Sequence, residues 1–82
     1  ATGGNATANA RRAAERRLEE ITGKIEATES RVADIDARFA DPTFYETTAR
    51  DDVRGLEEER VRLQSEVESL MDEWQRVEEE LG

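Results

Sequence analysis

A seven-residue repeat runs along most of this chain and is interrupted once, around its only proline. The positions of the repeat are Leu18, Ile21, Ile25, Thr28, Val32, Ile35 and Phe39 before the interruption, and Val53, Leu56, Arg60, Leu63, Val67, Leu70, Trp74, Val77 and Leu81 after it. Steps that alternate between three and four residues place these side chains on one stripe of a helix, the a and d positions of a coiled coil, which we call the seam. The pattern therefore predicts an all-α protein in which two long helices pack through their seams.

The composition suits a thin helical contact better than a broad core. The chain has 82 residues, of which 35% are apolar and 40% are charged, and that apolar share is too small for a large globular interior. The absence of cysteine and histidine excludes disulfides, thiolate chemistry and imidazole catalysis. No apolar run approaches the roughly 20 residues of a membrane-spanning helix, so we expect a soluble, cytoplasmic protein with no membrane partner.

The first half of the chain contains the signals for a linker and a first helix. Residues 1–10 carry no charge and no periodicity, which predicts a disordered segment, either a flexible linker or a non-native remnant of expression. The hairpin domain should then span residues 11–81. Its first helix is expected at about 10–40, with Asn9 as a possible N-cap. Pro42 should prevent the helix from continuing and should force Asp41 out of the helical conformation.

The second half should begin with a tight connection. We expect residues 41–48 to form the tip of the hairpin and a second helix to occupy about 49–81, with Gly82 beyond its end. Thr48 and Asp51 have the spacing of a capping box, and Asp51 and Asp52 would face the positive end of the helix dipole. Gly23 and Gly55 fall on the outward face, where they should not disturb the seam.

The length of the connection and the flanking charges both favour an antiparallel, intramolecular pair. A tip of about eight residues cannot span a helix of this length, so the second helix must run back along the first. The g positions are basic in helix 1 and acidic in helix 2, namely Arg17, Lys24, Arg31 and Arg38 against Glu59, Glu66, Glu73 and Glu80. In an antiparallel pair these positions share one flank, which we call the ladder flank. We therefore expect a monomer in isolation.

The sequence leaves the register of the two helices open. In one register Ile25 pairs with Leu63 and Thr28 lies opposite Arg60, which also sets small Ala14 against Trp74. A register shifted by one heptad instead places Arg60 beside Ile35. Arg60 is either a seam residue whose guanidinium reaches a flanking carboxylate or a polar layer that fixes the register.

Net charge and its distribution limit the possible partners. The chain carries a net charge of −9, and residues 41–82 hold five basic and fourteen acidic side chains, so nucleic-acid contact would have to be local. The basic cluster Arg11, Arg12, Arg16 and Arg17 is the candidate phosphate-binding surface. Glu78, Glu79 and Glu80 should lie near that cluster in the folded hairpin, so internal neutralisation is the competing interpretation.

Two aromatic residues, Phe44 and Tyr45, stand in the tip. They either close the end of the seam over Phe39 or are exposed as a contact surface for a partner. We find no nucleotide-binding loop, nucleophile–base pair or metal-ligand set in the sequence, so we expect no catalytic, cofactor or metal site in this domain. The runs of glutamate are interpreted as solvated surface charge.

The tip and the end of the second helix resemble a known family. The residues concerned are Phe39, Ala40, Asp41, Pro42, Thr43, Phe44 and Tyr45, followed about 30 residues later by Glu73, Trp74, Gln75, Arg76, Val77 and Glu78. Over residues 11–81 the chain resembles the C-terminal coiled-coil domain of ABC-F ATPases, the Uup-type group of ABC transporter ATP-binding proteins. The family often carries more lysine in this hairpin than the present chain does.

The resemblance implies a parent protein with two ATPase cassettes that use ATP and Mg²⁺ and with no membrane-spanning part. It implies association with the ribosome and translation, and DNA binding by the C-terminal hairpin. Carried over to this chain, it points to Arg11, Arg12, Arg16, Arg17, Lys24 and Arg31 as nucleic-acid contacts. Two alternatives remain: a structural or protein-contact arm that uses its tip, and a self-associating dimerisation element.

Overall fold

The computed structural model describes the backbone of residues 2–82 and the side chains of residues 7–82. It contains three helices, α1 (Thr2–Phe39), α2 (Pro42–Thr47) and α3 (Arg50–Leu81). The two long helices pack against each other, and the molecule measures 68 × 16 × 14 Å. No strand occurs among residues 2–82. The prediction of an all-α, two-helix antiparallel hairpin is therefore confirmed, and a short third helix is added at its tip.

The seam forms the core. Ala14, Ile21, Leu70 and Val77 make a buried cluster, against which Leu18, Ile25, Trp74 and Leu81 pack. All of these except Ala14 are repeat positions, and Ala14 continues the repeat four residues before Leu18. Nearer the tip, Ile35 is fully buried. The seven-residue repeat thus identified the residues that hold the two helices together, including the core position of Trp74.

The start of α1 differs from the prediction. The helix begins at Thr2, so Asn9 lies inside it and is not an N-cap, and residues 2–10 are helical where no helix was predicted; Ala1 lies outside the described residues. The assignment of residues 1–10 to a linker or non-native remnant stays a prediction.

The tip contains a helix that the sequence analysis did not predict. Pro42 ends α1 as expected, and Asp41 is extended, with φ −93° and ψ 112°. The Asp41 side chain, however, also caps a new helix, because its Oδ1 accepts a hydrogen bond from the Thr43 backbone N–H at 3.0 Å. Asp followed by Pro is the combination favoured at an N-cap and first helical position, so the signal for α2 was present in the sequence.

The predicted capping box of α3 was wrong. Thr48 is extended and ends α2, and the N-cap of α3 is Ala49, whose side chain makes no capping hydrogen bond. The capping box does not form because α2 extends to Thr47, so α3 begins only at Arg50. Asp51 and Asp52 do lie in the first turn of α3, and Gly82 follows its last residue, as expected.

The register is the heptad-shifted one. Arg60 forms an ion pair with Asp36, the residue next to Ile35, and not with a partner beside Thr28. The register that sets Ile25 against Leu63 was wrong, since Ile25 packs on the cluster that contains Leu70. Asp36 and Arg60 lie equally far in sequence from Thr48, which places the reversal of the chain after α2. The unpredicted tip helix thereby accounts for the shift of one heptad.

Candidate nucleic-acid interface and hairpin tip

The basic cluster lies where α1 begins and α3 ends, which we call the root end of the hairpin. Arg11 Nε lies 3.4 Å from Glu15 Oε1 within α1, and both side chains are more than half exposed. Arg17 Nη2 donates to Glu80 across the helix pair at 3.2 Å. Two of the four arginines therefore have a carboxylate partner, as the neutralisation interpretation expects.

The other two arginines of the cluster have no carboxylate partner among the described residues. Arg12 and Arg16 are exposed, and neither forms an ion pair or a hydrogen bond with any residue that the structure describes. They are one helical turn apart, so their guanidinium groups lie on adjoining positions of one outward face. The cluster thus divides into two paired and two available cations.

The two remaining candidate nucleic-acid contacts, Arg31 and Lys24, also comprise one paired and one unpaired cation among the described residues. Arg31 is bidentate on Glu59, with Nε donating to Oε2 at 2.6 Å and Nη2 donating to Oε1 at 3.1 Å. This hydrogen-bonded pair lowers the pKa of Glu59 from its usual value and raises the pKa of Arg31. Lys24 is exposed and has no ion pair among the described residues. Arg12, Arg16 and Lys24 are therefore the available members of the predicted set.

Only some of the basic g positions on the ladder flank form ion pairs with α3 among the described residues. Arg17 pairs with Glu80 and Arg31 pairs with Glu59, as the g positions predict. Lys24 and Arg38, at the alternate positions, form no ion pair among residues 7–82. Bidentate arginine fixes geometry better than a single contact does, so these pairs orient the helices more than they stabilise them.

Arg60 is the seam residue that breaks the apolar repeat. Its stem lies at the seam, and its guanidinium reaches Asp36, with Nε donating to Oδ1 and Nη2 donating to Oδ2 at 3.3 Å. The hydrogen bonds lower the pKa of the Asp36 carboxyl. Of the two interpretations of Arg60, the one in which the guanidinium reaches a flanking carboxylate is confirmed.

Three aromatic rings cluster at the tip. The Phe39 ring lies 6.0 Å from that of Phe44 and 6.1 Å from that of Tyr45, and the last two meet edge to face at 5.7 Å. These separations are typical of favourable aromatic pairs. Tyr45 nevertheless keeps 51% of its surface exposed. The rings therefore close the end of the seam, as one interpretation expects, while Tyr45 also presents an exposed face.

The flank opposite the ladder holds a groove that the sequence analysis did not identify. Its floor includes Ile25, Val32, Val67 and Trp74, and Met71, at its edge, is 46% exposed. Gln64 and Met71 are uncharged at e positions, next to the seam, where charged residues are common in coiled coils. That missing charge is the signal that could have located the groove.

No glycine-rich phosphate loop occurs in the sequence, and among the described residues no group of three or more His, Cys, Asp or Glu side chains could hold a metal ion. None of the described helices has a stretch long and apolar enough to cross a bilayer.

Together, the fold and these contacts define a charged antiparallel helical hairpin with a short helix at its tip. A protein-family model described as the ABC transporter C-terminal domain matches residues 10–79. The chain therefore belongs to the ABC transporter C-terminal domain family, and it is an accessory domain of an ABC-type protein. Comparison with curated proteins and comparison with solved structures each gave no significant match.

Proposed function

We propose that this hairpin is a non-catalytic accessory domain of a soluble, cytoplasmic ABC-F ATPase of the Uup type, and that it binds nucleic acid for that ATPase. In this proposal the ATP and Mg²⁺ sites belong to ATPase cassettes elsewhere in the parent chain. Family membership supports the accessory role, and the resemblance of the tip and of the Glu73–Trp74 pair supports the subtype. The nucleic acid is DNA or ribosomal RNA, and the latter would link the parent protein to the ribosome and translation.

The observation that carries the proposal is that Arg12, Arg16 and Lys24 are exposed and free of carboxylate partners among the described residues. These three cations extend over about 18 Å of α1, calculated from the helical rise per residue. They can contact phosphates without breaking any ion pair of the fold. Arg11, Arg17 and Arg31 would first have to leave Glu15, Glu80 and Glu59.

The expected binding is weak and independent of base sequence. Phosphate contacts fix position without reading bases, and the acidic residues Glu19 and Glu20 follow Arg16 on α1. Each phosphate contact lowers the slope of log affinity against log salt by about 0.9. Three contacts therefore predict a slope of about −3, and binding should be detectable only at low ionic strength.

Fluorescence anisotropy of labelled duplex DNA and of structured RNA, titrated with the domain at several salt concentrations, tests the proposal. Replacing Arg12 and Arg16 with glutamate should abolish binding. The matched control is Arg54→Glu with Arg62→Glu, which makes the same charge change at two exposed positions on α3. The proposal fails if the wild-type domain binds neither probe at about 20 mM salt, where charges are poorly screened, or if the control loses binding equally.

A protein-contact arm is the second candidate, and the half-exposed ring of Tyr45 favours it. In that case the aromatic cluster at the tip meets a partner protein, and the hairpin acts as a spacer. A photoreactive phenylalanine analogue at position 45 should then give one defined adduct in a cell extract, whereas the same probe at Glu58, on the outward face of α3, should give none. Equal labelling from the two positions would reject the tip as a specific contact.

A further inference from the structure

The two flanks of the hairpin differ in their contacts, and this difference plays no part in the proposed nucleic-acid binding. Arginine–glutamate pairs cross the ladder flank. The opposite flank, which we call the open flank, contains two neighbouring grooves between α1 and α3. One is lined by Thr22, Ile25, Glu26, Met71, Trp74 and Gln75, and the other by Glu29, Val32, Ala33, Asp36, Gln64, Val67 and Glu68.

The two grooves repeat each other at an interval of one heptad. Each residue of the first groove has a counterpart seven positions away in the second, as Ile25 has in Val32 and Trp74 has in Val67. A heptad advances a helix by about 10.5 Å. The grooves therefore form two successive units of one channel that runs along the hairpin, and this channel has the period of a coiled-coil helix.

The floor of the channel is apolar and only partly covered. Ile25, Val32, Val67 and Trp74 are half-buried, although Ile21, Leu70 and Val77 in the same seam are buried. Met71 adds a thioether that is 46% exposed. An incompletely covered apolar strip bordered by polar residues is typical of a surface on which an amphipathic helix docks.

The charged residues at the rim of the channel indicate which charge a binding partner should carry. Its ionisable residues are Glu26, Glu29, Asp36 and Glu68, and no basic residue lines either groove. Asp36 is already paired with Arg60, whereas the three glutamates have no ion pair among the described residues. Such a rim repels phosphates and attracts lysine or arginine. The open flank therefore suits a basic partner, unlike the outer face of α1 that carries Arg12 and Arg16.

We propose that the open flank of the hairpin binds a basic amphipathic helix with a seven-residue apolar repeat, which completes a three-helix coiled coil over Ile25, Met71 and Trp74. The apolar side chains of that helix would enter the channel, and its flanking lysines or arginines would pair with Glu26, Glu29 and Glu68. The proposal is independent of nucleic-acid binding, because it uses a different face and a partner of opposite charge.

A synthetic peptide tests the proposal directly. The probe is a helical peptide of about three heptads with leucine at a and d, lysine at e and g, and no tryptophan. Trp74 is the chain's single tryptophan and lines the channel, so docking should shift its fluorescence to the blue. A peptide of the same composition in scrambled order keeps the charge and loses the repeat, and it should produce no shift.

Two variants separate docking from general attraction to an acidic protein. Glu26→Lys with Glu68→Lys reverses the rim and should weaken binding about tenfold, as expected for two reversed surface contacts. Glu58→Lys with Glu79→Lys makes the same charge change on the outward face of α3 and should leave affinity almost unchanged. Circular dichroism of both variants would verify that the hairpin remains folded.

Three results with the peptides and variants would overturn the proposal. They are the absence of any blue shift with the ordered peptide, equal binding of the scrambled peptide, and equal weakening by the two double variants. A blue shift that grows with the concentration of the domain alone would also contradict it, since the occupant of the channel would then be a second copy of this chain. None of these results would affect the anisotropy test, which reports on Arg12 and Arg16.

Discussion

At the scale of single residues, charged side chains link the two long helices at defined positions. Arg60 occupies a seam position at which the repeat predicts an apolar side chain, yet its guanidinium leaves the seam to bind Asp36. Arg31 holds Glu59 with two hydrogen bonds on the ladder flank. Both pairs join residues more than 20 positions apart in sequence. Both pairs therefore link α1 to α3 in the register that the structure shows.

The Arg31–Glu59 pair predicts a pH dependence of stability. Arg31 lowers the folded-state pKa of Glu59 below its ordinary value of 4.5, so the pair stabilises the fold fully above that pH and loses its effect as the pH falls through the folded-state pKa. Arg31→Gln should therefore be less stable than the wild type at pH 7, and the difference should shrink as the pH is lowered below 4.5.

Urea unfolding at a series of pH values measures that difference. Arg50→Gln is the control, because Arg50 is exposed and has no ion pair among the described residues. Its difference from the wild type should not follow the titration of a carboxylate near pH 4.5. A difference for Arg31→Gln that stays constant from neutral to acid pH would contradict the assigned role of the pair.

At the scale of elements, the sequence predicted the long helices better than their ends. The repeat located the α1 and α3 cores because periodic burial is a property of each helix by itself. It could not locate the register, since every seam position recurs after seven residues and a shift of one heptad preserves the pattern. The register depends on where the chain reverses, and the helix α2 at residues 42–47, which determines this, was not recognised.

The candidate nucleic-acid interface, like the helices, was predicted from the sequence only in part. Sequence composition located the basic cluster at Arg11 to Arg17, but it could not tell which arginines would be free. That distinction depends on which glutamates the register brings close, such as Glu80 to Arg17. The open flank was not predicted because its floor consists of the same seam residues that pack the two helices, so its one sequence signal was the missing charge at Gln64 and Met71.

The capping of α2 gives a prediction at this scale. Asp41→Ala removes the acceptor for the Thr43 backbone N–H and should lower the free energy of unfolding by about 1 kcal/mol, the usual value for an N-cap. Asp41→Asn keeps an acceptor oxygen and should retain most of the stability. Chemical unfolding followed by circular dichroism measures both. Equal stability of Asp41→Ala and the wild type would show that the cap does not hold the tip.

The register gives a second prediction at this scale. The chain has no cysteine, so a pair of introduced cysteines can be joined by a short bis-maleimide without side reactions. Cysteines at Asp36 and Arg60 should cross-link within one chain faster than cysteines at Glu29 and Arg60, because Asp36 contacts Arg60 in the folded hairpin. Intact mass spectrometry follows the reaction. Faster cross-linking of the Glu29 pair would support the register in which Thr28 lies opposite Arg60.

At the scale of the whole molecule, the hairpin separates three surfaces along a rod of 68 Å. The free cations Arg12 and Arg16 lie at the root end, the aromatic cluster with Tyr45 lies at the tip, and the open flank runs between them. A molecule with a net charge of −9 can approach a phosphate backbone only with its basic face turned toward it.

In the proposed function, the face of α1 that carries Arg12 and Arg16 is the part of the domain that touches nucleic acid. Amide chemical-shift mapping of the isotope-labelled domain, titrated with a short DNA duplex and with structured RNA at about 20 mM salt, tests this assignment residue by residue. We predict that the shifts concentrate around Arg12, Arg16 and Lys24 and disappear as salt is added. Shifts confined to the tip around Tyr45, or no shifts with either probe, would contradict the claim.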